Sequence, residues 1–295
     1  MVQYIKLLRP KEWIKNFFLF LPLFFAADLF KFEKYPPLLL GFLAFSLVAS
    51  SIYIINDYRD IESDKKHPTK SKRPLASGTV SPTAAIIICG ICLLVGFSIA
   101  YLTLPKFVFI LGIYFTMNLA YSFGLKNIPV LDTFIVAAGF VLRAKAGAEL
   151  ADVYLSEWLT IMVFLLALFM ALGKRRDDVL LKIESGVDMR KAIHGYNLNF
   201  LNVALSMVCA VIIVAYFMYS MSTEVTTRLG TYRVYYTTVF ILAGIMRYLQ
   251  IIYVNADSGS PTKILYKDRF IQISIVLWIA SFYFILYIRD LNFFK

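Results

Sequence analysis

The chain has 295 residues, of which 60% are hydrophobic and only 17% charged, whereas a soluble domain carries about 25% charged and about 45–50% apolar residues. The excess falls in runs near the ~20 residues that a helix needs to cross a bilayer, which excludes a water-soluble globular protein and leaves no segment able to build a separate soluble core. The net charge of +11 fits the positive-inside bias of membrane proteins and anionic lipid or phosphate partners. It does not fit nucleic acid, because no basic domain stands outside the membrane.

Nine segments read as spans, at roughly 13–30, 37–58, 83–102, 107–123, 130–147, 157–173, 201–221, 232–253 and 270–288. Lipid cannot satisfy an open sheet edge, and the ~10-residue alternation of a membrane barrel is absent. The expectation is therefore an all-α membrane protein, a single domain over 1–295 built as a bundle of about nine transmembrane helices. Lys11 and Lys15 flank Trp13 at the mouth of the first span, where a tryptophan serves as an interface anchor. No cleavable signal pattern precedes it. Asn56 to Asp64 ends the second span, and a charged connection runs from Arg59 to Pro82. Cys89 and Cys92 form a C-x-x-C inside the third span; with no second pair for zinc, they read as packing residues. Lys126 lies in the short connection between the fourth and fifth spans, and the fifth carries Asp132, Arg143 and Lys145. Gly173-Lys174-Arg175-Arg176-Asp177-Asp178 ends the sixth and opens a second charged connection, to Phe200. With the N-terminus inside, 20 Lys and Arg fall on the cytoplasmic side and 7 outside. This sets an inner (plasma) membrane protein with its N-terminus cytoplasmic, its C-terminus outside and both charged connections on the cytoplasmic face.

Asn56-Asp57-Tyr58-Arg59-Asp60-Ile61-Glu62-Ser63-Asp64 is the strongest chemical signal. On a helix Asn56, Asp60 and Asp64 recur every four residues on one face, with Asp57 flanking it. Like charges at that spacing repel, and a divalent cation offsets them. Oxygen ligands beside a phosphate substrate suit magnesium, and carboxylates beside a bilayer are costly enough to imply function. Lys70 and Arg73, in the run after the acids, are placed to close over a phosphate, although such a run also serves as a topology determinant. Lys174 and Arg175 are placed to grip phosphate at the membrane surface, where a forked guanidinium binds it well. The adjacent Asp177 and Asp178 point apart on a helix and make no second metal face. Arg143 and Lys126 are further candidate phosphate ligands; Arg143 and Asp132, about three turns apart, are too distant for a direct pair. There is no H-E-x-x-H, P-loop or G-x-S-x-G, so a hydrolase triad and an ATP-driven pump are not expected.

The acidic segment resembles the N-D-x-x-D-x-x-x-D motif of the UbiA superfamily of intramembrane prenyltransferases. That resemblance implies nine helices with a cytoplasmic-side active-site cavity. Within the superfamily the chain is similar to the decaprenyl-phosphate phosphoribosyltransferase branch. The similarity runs from Arg9-Pro10-Lys11-Glu12-Trp13-Ile14-Lys15-Asn16 through His67-Pro68-Thr69-Lys70, Arg73-Pro74, Leu125-Lys126, Leu131-Asp132, Gly139 to Arg143, and Gly173 to Arg176. It ends on Arg247-Tyr248-Leu249, Pro261-Thr262 and Lys267-Asp268-Arg269. Aromatic prenyltransferases of the superfamily carry a second D-x-x-x-D after the sixth span; here that place is basic first, from Lys174.

The resemblance implies phosphoribosyl pyrophosphate as donor and a polyprenyl phosphate as acceptor, in cell-envelope glycan precursor synthesis. It implies magnesium held by Asn56 and Asp60 with Asp57 and Asp64 supporting, the three aspartates being the catalytic set. Lys15, Lys70, Arg73, Lys126, Arg143, Lys174 and Arg175 would contact substrate, and Tyr53 the ribose. A prenyl transfer from prenyl diphosphate to an aromatic or lipid acceptor is the first alternative. A non-catalytic membrane transporter or binding protein is the second, although no inverted repeat with broken helices supports it. A homo-oligomer is left open.

Overall fold

In a computed structural model, residues 2–65, 70–185, 191–254, 264–265 and 267–287 are described. Among them there are helices and no strands. The helices are α1 (Val2–Leu8), α2 (Leu21–Phe25), α3 (Tyr35–Arg59), α4 (Ile61–Lys65), α5 (Pro82–Thr103), α6 (Pro105–Phe123), α7 (Leu131–Ala151), α8 (Glu157–Ser185), α9 (Leu198–Met221), α10 (Thr223–Leu229), α11 (Thr238–Tyr253) and α12 (Arg269–Tyr287). Among the described residues six segments are long and apolar enough to cross a membrane: Phe32–Arg59, Pro82–Thr103, Pro105–Phe123, Glu157–Ile183, Leu198–Met221 and Arg233–Tyr253.

Three further expected spans remain. Over the first, the chain forms an 11-residue 3-10 helix, Pro10–Phe20, followed by the short α2. Pro22 has no N–H to give the Phe18 carbonyl, and the Leu21 N–H takes that acceptor instead. At about 2 Å rise per residue the 3-10 helix and α2 together still reach about 30 Å, the hydrocarbon thickness. The fifth, α7, has the length but carries Asp132, Arg143, Lys145 and Glu149. The ninth, α12, is apolar over Arg269–Ile285.

The helix starts follow local chemistry. Ser81 caps α5, accepting from the Ala84 N–H at 3.2 Å, with Pro82 at its first turn. Asn197 caps α9 by accepting from the Phe200 N–H at 2.8 Å. The outward faces are apolar. Pro82–Thr103 has mean hydropathy 2.6 yet only 28% of its most apolar window is buried, and Leu94, Leu102 and Phe109 are all more than two-thirds exposed. Water does not tolerate so continuous an apolar surface; lipid does. The protein is an integral membrane protein.

The chain forms two compact units, 1–126 with 138–155, and 127–137 with 156–295. In the first unit α3 is the centre, packed by α5, the 3-10 helix, α6 and α1. Leu19, Leu38, Phe45, Val48, Phe107, Leu111 and Tyr114 belong to its core. Close approach is built with glycine: a Cβ on Gly96 of α5 would meet Val48 Cγ2 at 2.9 Å, and one on Gly147 of α7 would overlap the Leu19 carbonyl. In the second unit α8 packs on α9, and α11 packs on α12 and α9. There the Trp278 indole N–H donates to Tyr216 Oη at 2.7 Å, and Tyr216 Oη lies 2.6 Å from Thr237 Oγ1.

Candidate functional site

The first unit's polar cluster is built on the end of α3. The helix stops at Arg59; Asp60 (φ −95, ψ 7) caps it and α4 restarts at Ile61. That break divides the acidic segment. Asp57 and Asp64 are buried and meet at one guanidinium: Arg73 Nη1 donates to Asp57 Oδ1 at 3.0 Å and to Asp64 Oδ2 at 2.6 Å. Arg9 Nη2 donates to the same Asp57 oxygen at 2.5 Å, with its guanidinium over the Tyr53 ring at 5.0 Å from the centroid. Arg9 stands in the left-handed region (φ 51) ahead of Pro10, which turns the chain from α1 into the 3-10 helix.

Asn56 and Asp60 form the other half and are half-buried. Lys126 Nζ lies 3.1 Å from Asn56 Oδ1 and 3.0 and 2.8 Å from the two Asp60 carboxylate oxygens. Asn56 Nδ2 donates to Asp60 Oδ2 at 3.1 Å, which orients its own oxygen toward the ammonium. Lys126 is delivered by a three-residue 3-10 turn, Leu125–Asn127, directly after Gly124, whose φ of 151 only glycine adopts readily. Arg59 points elsewhere, donating to the Ser122 carbonyl and lying over the Phe123 ring at 4.0 Å. The single acidic face expected from the spacing is thus two pairs. Among the described residues no three Asp, Glu, His or Cys side chains converge on a metal position. The oxygens of Asn56 and Asp60, already gathered around one cation, are the donor set that fits magnesium.

Arg143 lies deeper in the first unit and is buried. Its Nε donates to Asn16 Oδ1 at 2.8 Å, Nη1 to the Gly139 carbonyl at 2.9 Å and Nη2 to Tyr114 Oη at 2.7 Å. It lies over the rings of Phe45, Tyr114 and Phe140 at 4.8–5.3 Å. Asn16 in turn donates to Ser46 Oγ at 2.9 Å, and the Trp13 indole donates to Ser50 Oγ at 3.0 Å. Lys15 pairs with Glu12 at 2.5 Å, both partly exposed. Lys70 is half-buried in the 3-10 turn Lys70–Lys72; His67, Pro68 and Thr69 lie outside the described residues.

The second unit has its own network. Asp132, fully buried at the start of α7, accepts from Arg175 Nε at 2.5 Å and from Tyr196 Oη at 2.6 Å. Arg175 Nη1 also donates to Asp178 Oδ2 at 3.0 Å. Tyr196 Oη accepts from the Val130 N–H at 2.6 Å. Burial first, and then its bond to Asp132, push the Tyr196 hydroxyl up to about 12. Lys174, one residue before Arg175, is exposed. Arg176 donates to Asn202 Oδ1 at 2.8 Å. Two segments far apart in sequence meet where Arg247 Nη2 lies 2.8 Å from Asp268 Oδ2; that hydrogen bond holds the Asp268 carboxyl below its ordinary range. Pro261 and Thr262 fall outside the described residues.

Arg9, Asn16, Tyr114 and Tyr196 are partners that the sequence reading did not place in the site. A signal existed for Asn16. Asn16 and the Ser46/Ser50 pair, four apart on an apolar helix, are polar residues that need buried partners. Tyr114 and Tyr196 carry no such mark.

With this geometry the chain belongs to the UbiA prenyltransferase family, whose model matches residues 17–273. Two relatives are decaprenyl-phosphate phosphoribosyltransferases. The one from Mycolicibacterium smegmatis is 34% identical, covering 94% of this chain and 90% of its own. The one from Corynebacterium glutamicum is 32% identical, covering 97% of this chain and 87% of its own. The fold matches that of a UbiA homolog from Archaeoglobus fulgidus bound to DMAPP and Mg2+. The TM-score is 0.69 at 21% identity, covering 96% of this chain and 99% of that one.

Proposed function

We propose that the protein transfers 5-phosphoribose from phosphoribosyl pyrophosphate to a polyprenyl phosphate and releases pyrophosphate, making a precursor of a cell-envelope glycan. Relatives of that activity aligned over nearly the whole chain support the reading. The observation that carries it in the geometry is the commitment of Asp178 to Arg175. The place where a second acidic clamp for a prenyl diphosphate would stand holds a buried Arg175–Asp178 pair, whereas Asp60 at the end of α3 pairs with a partly exposed lysine. The Lys and Arg distribution supports a cytoplasmic site in the plasma membrane, N-terminus inside.

Asn56 and Asp60 are the proposed magnesium ligands, and a bound magnesium would neutralise charge on the departing pyrophosphate. Asp57 and Asp64 support the site by fixing Arg73 and Arg9. Lys126 and Arg73 are the proposed pyrophosphate contacts, with Lys15 and Lys70 serving the other phosphates on the first unit and Arg143, whose guanidinium is spent on Asn16, Gly139 and Tyr114, acting by its positive charge. Tyr53, one turn before Asp57 and stacked under Arg9, is the proposed ribose contact. Lys174 and Arg175 are proposed for phosphate on the second unit. Arg175 acts through the orientation of α8, because its guanidinium is spent on Asp132 and Asp178.

The acceptor phosphate is anionic at neutral pH and needs no general base. Its oxygen attacks ribose C1 as the C1–pyrophosphate oxygen bond breaks, with inversion. The positive charge developing at C1 is favoured by the nearby carboxylates. Asp60→Ala should lower pyrophosphate release from phosphoribosyl pyrophosphate by about a thousandfold (about 4 kcal/mol) with an unchanged elution profile, and a chelator should do the same to the wild type. Turnover that survives both contradicts the proposal.

A further inference from the structure

The acidic segment is charge-balanced as it stands. Asp57 and Asp64 face Arg9 and Arg73, and Asp60 faces Lys126. No negative charge is left over within these groups to attract a divalent ion from solution. The three oxygens best suited to hold one already surround the Lys126 ammonium at 2.8–3.1 Å. The two halves differ in how firmly their cations are held. Arg73 is fixed by two buried carboxylates, whereas Lys126 reaches a partly exposed Asp60, side chains 22% and 29% exposed, from a short turn. A lysine is a point charge on a flexible four-carbon stem and swings without losing a forked geometry.

We infer that Lys126 is a tethered cation that fills the divalent site in the substrate-free protein. It yields only when a diphosphate brings the metal, so that metal and diphosphate load together. The inference rests on the reading of Asn56 and Asp60 as a divalent-cation site. A metal arriving alone must take its place beside an ammonium of like sign. A metal arriving with a diphosphate brings its own negative charge, and the displaced Lys126 ammonium then pairs with the diphosphate oxygens. The exchange leaves Asp57, Asp64, Arg9 and Arg73 in place, so the loop carrying Arg73 is set before substrate arrives.

The test is equilibrium dialysis of the full chain in detergent or nanodiscs with Mn2+ as probe, reading the metal retained by protein, with and without inorganic pyrophosphate. The wild type should retain Mn2+ weakly alone and about tenfold or more tightly with pyrophosphate. Lys126→Met should retain Mn2+ alone about tenfold or more tightly than the wild type, with a smaller gain from pyrophosphate. If the wild type holds Mn2+ equally well with and without pyrophosphate, or if Lys126→Met folds and gains no affinity, the tethered-cation inference is overturned. The metal site then still stands wherever Asp60→Ala abolishes retention. If no Mn2+ is retained by wild type or variant under either condition, both the inference and the metal site fall. The wild-type comparison decides alone should the variant not fold.

Discussion

Arginine and lysine are used differently among these residues, and their burial shows how. Arg73, Arg143 and Arg175 each make several fixed hydrogen bonds, the last two while buried. Lys126 and Lys174 stand nearer solvent. Removing one partner of a buried ion pair leaves an uncompensated buried charge, so Arg175 holds shape, whereas the lysines are the more readily redirected toward anions. Tyr196 offers a pH test of the buried second-unit network. Its hydroxyl is raised from 10.0 to about 12 by burial and the bond to Asp132, so the folded state favours the protonated form. The stability from that preference is complete below pH 10 and is lost as pH rises from 10 toward about 12. In thermal unfolding, the wild type should exceed Tyr196→Phe by a constant margin below pH 10, and that margin should shrink above it. A margin unchanged to pH 12 would refute the assignment.

At the scale of elements, most helices were legible because hydrophobic runs bounded by Pro, Ser and Asn mark them directly. The first span was legible as an apolar run but not as a 3-10 segment, Pro10–Phe20, followed by a short α2. The acidic motif was found by spacing, but spacing assumes that the helix continues. Asp60 ends it, and only the structure shows Asp57 and Asp64 drawn to Arg73 while Asn56 and Asp60 meet Lys126. Buried partners from distant segments, such as Tyr114 for Arg143, leave no local trace. The join between the 3-10 helix and α7 gives an element-scale prediction. In an ordinary helix Gly→Ala gains about 1 kcal/mol. At Gly147 the new Cβ would overlap the Leu19 backbone carbonyl, so Gly147→Ala should instead destabilise the protein by about 1–3 kcal/mol. Thermal unfolding in detergent checks the sign, and a stabilised variant would show that the contact is not tight.

Across the whole molecule, the apolar exterior, the helical fold and the match over residues 17–273 agree on an integral membrane protein of the UbiA prenyltransferase family. Within that family the donor is the open chemical choice, and it turns on which acids are available. Asp60, at the end of α3, faces a lysine that a substrate can displace, whereas Asp178 is held by Arg175. The most direct measurement is pyrophosphate release by the purified protein, given a polyprenyl phosphate acceptor and, in separate reactions, phosphoribosyl pyrophosphate or a prenyl diphosphate. The account predicts acceptor-dependent release from phosphoribosyl pyrophosphate and background release from the prenyl diphosphate; the reverse preference would contradict it.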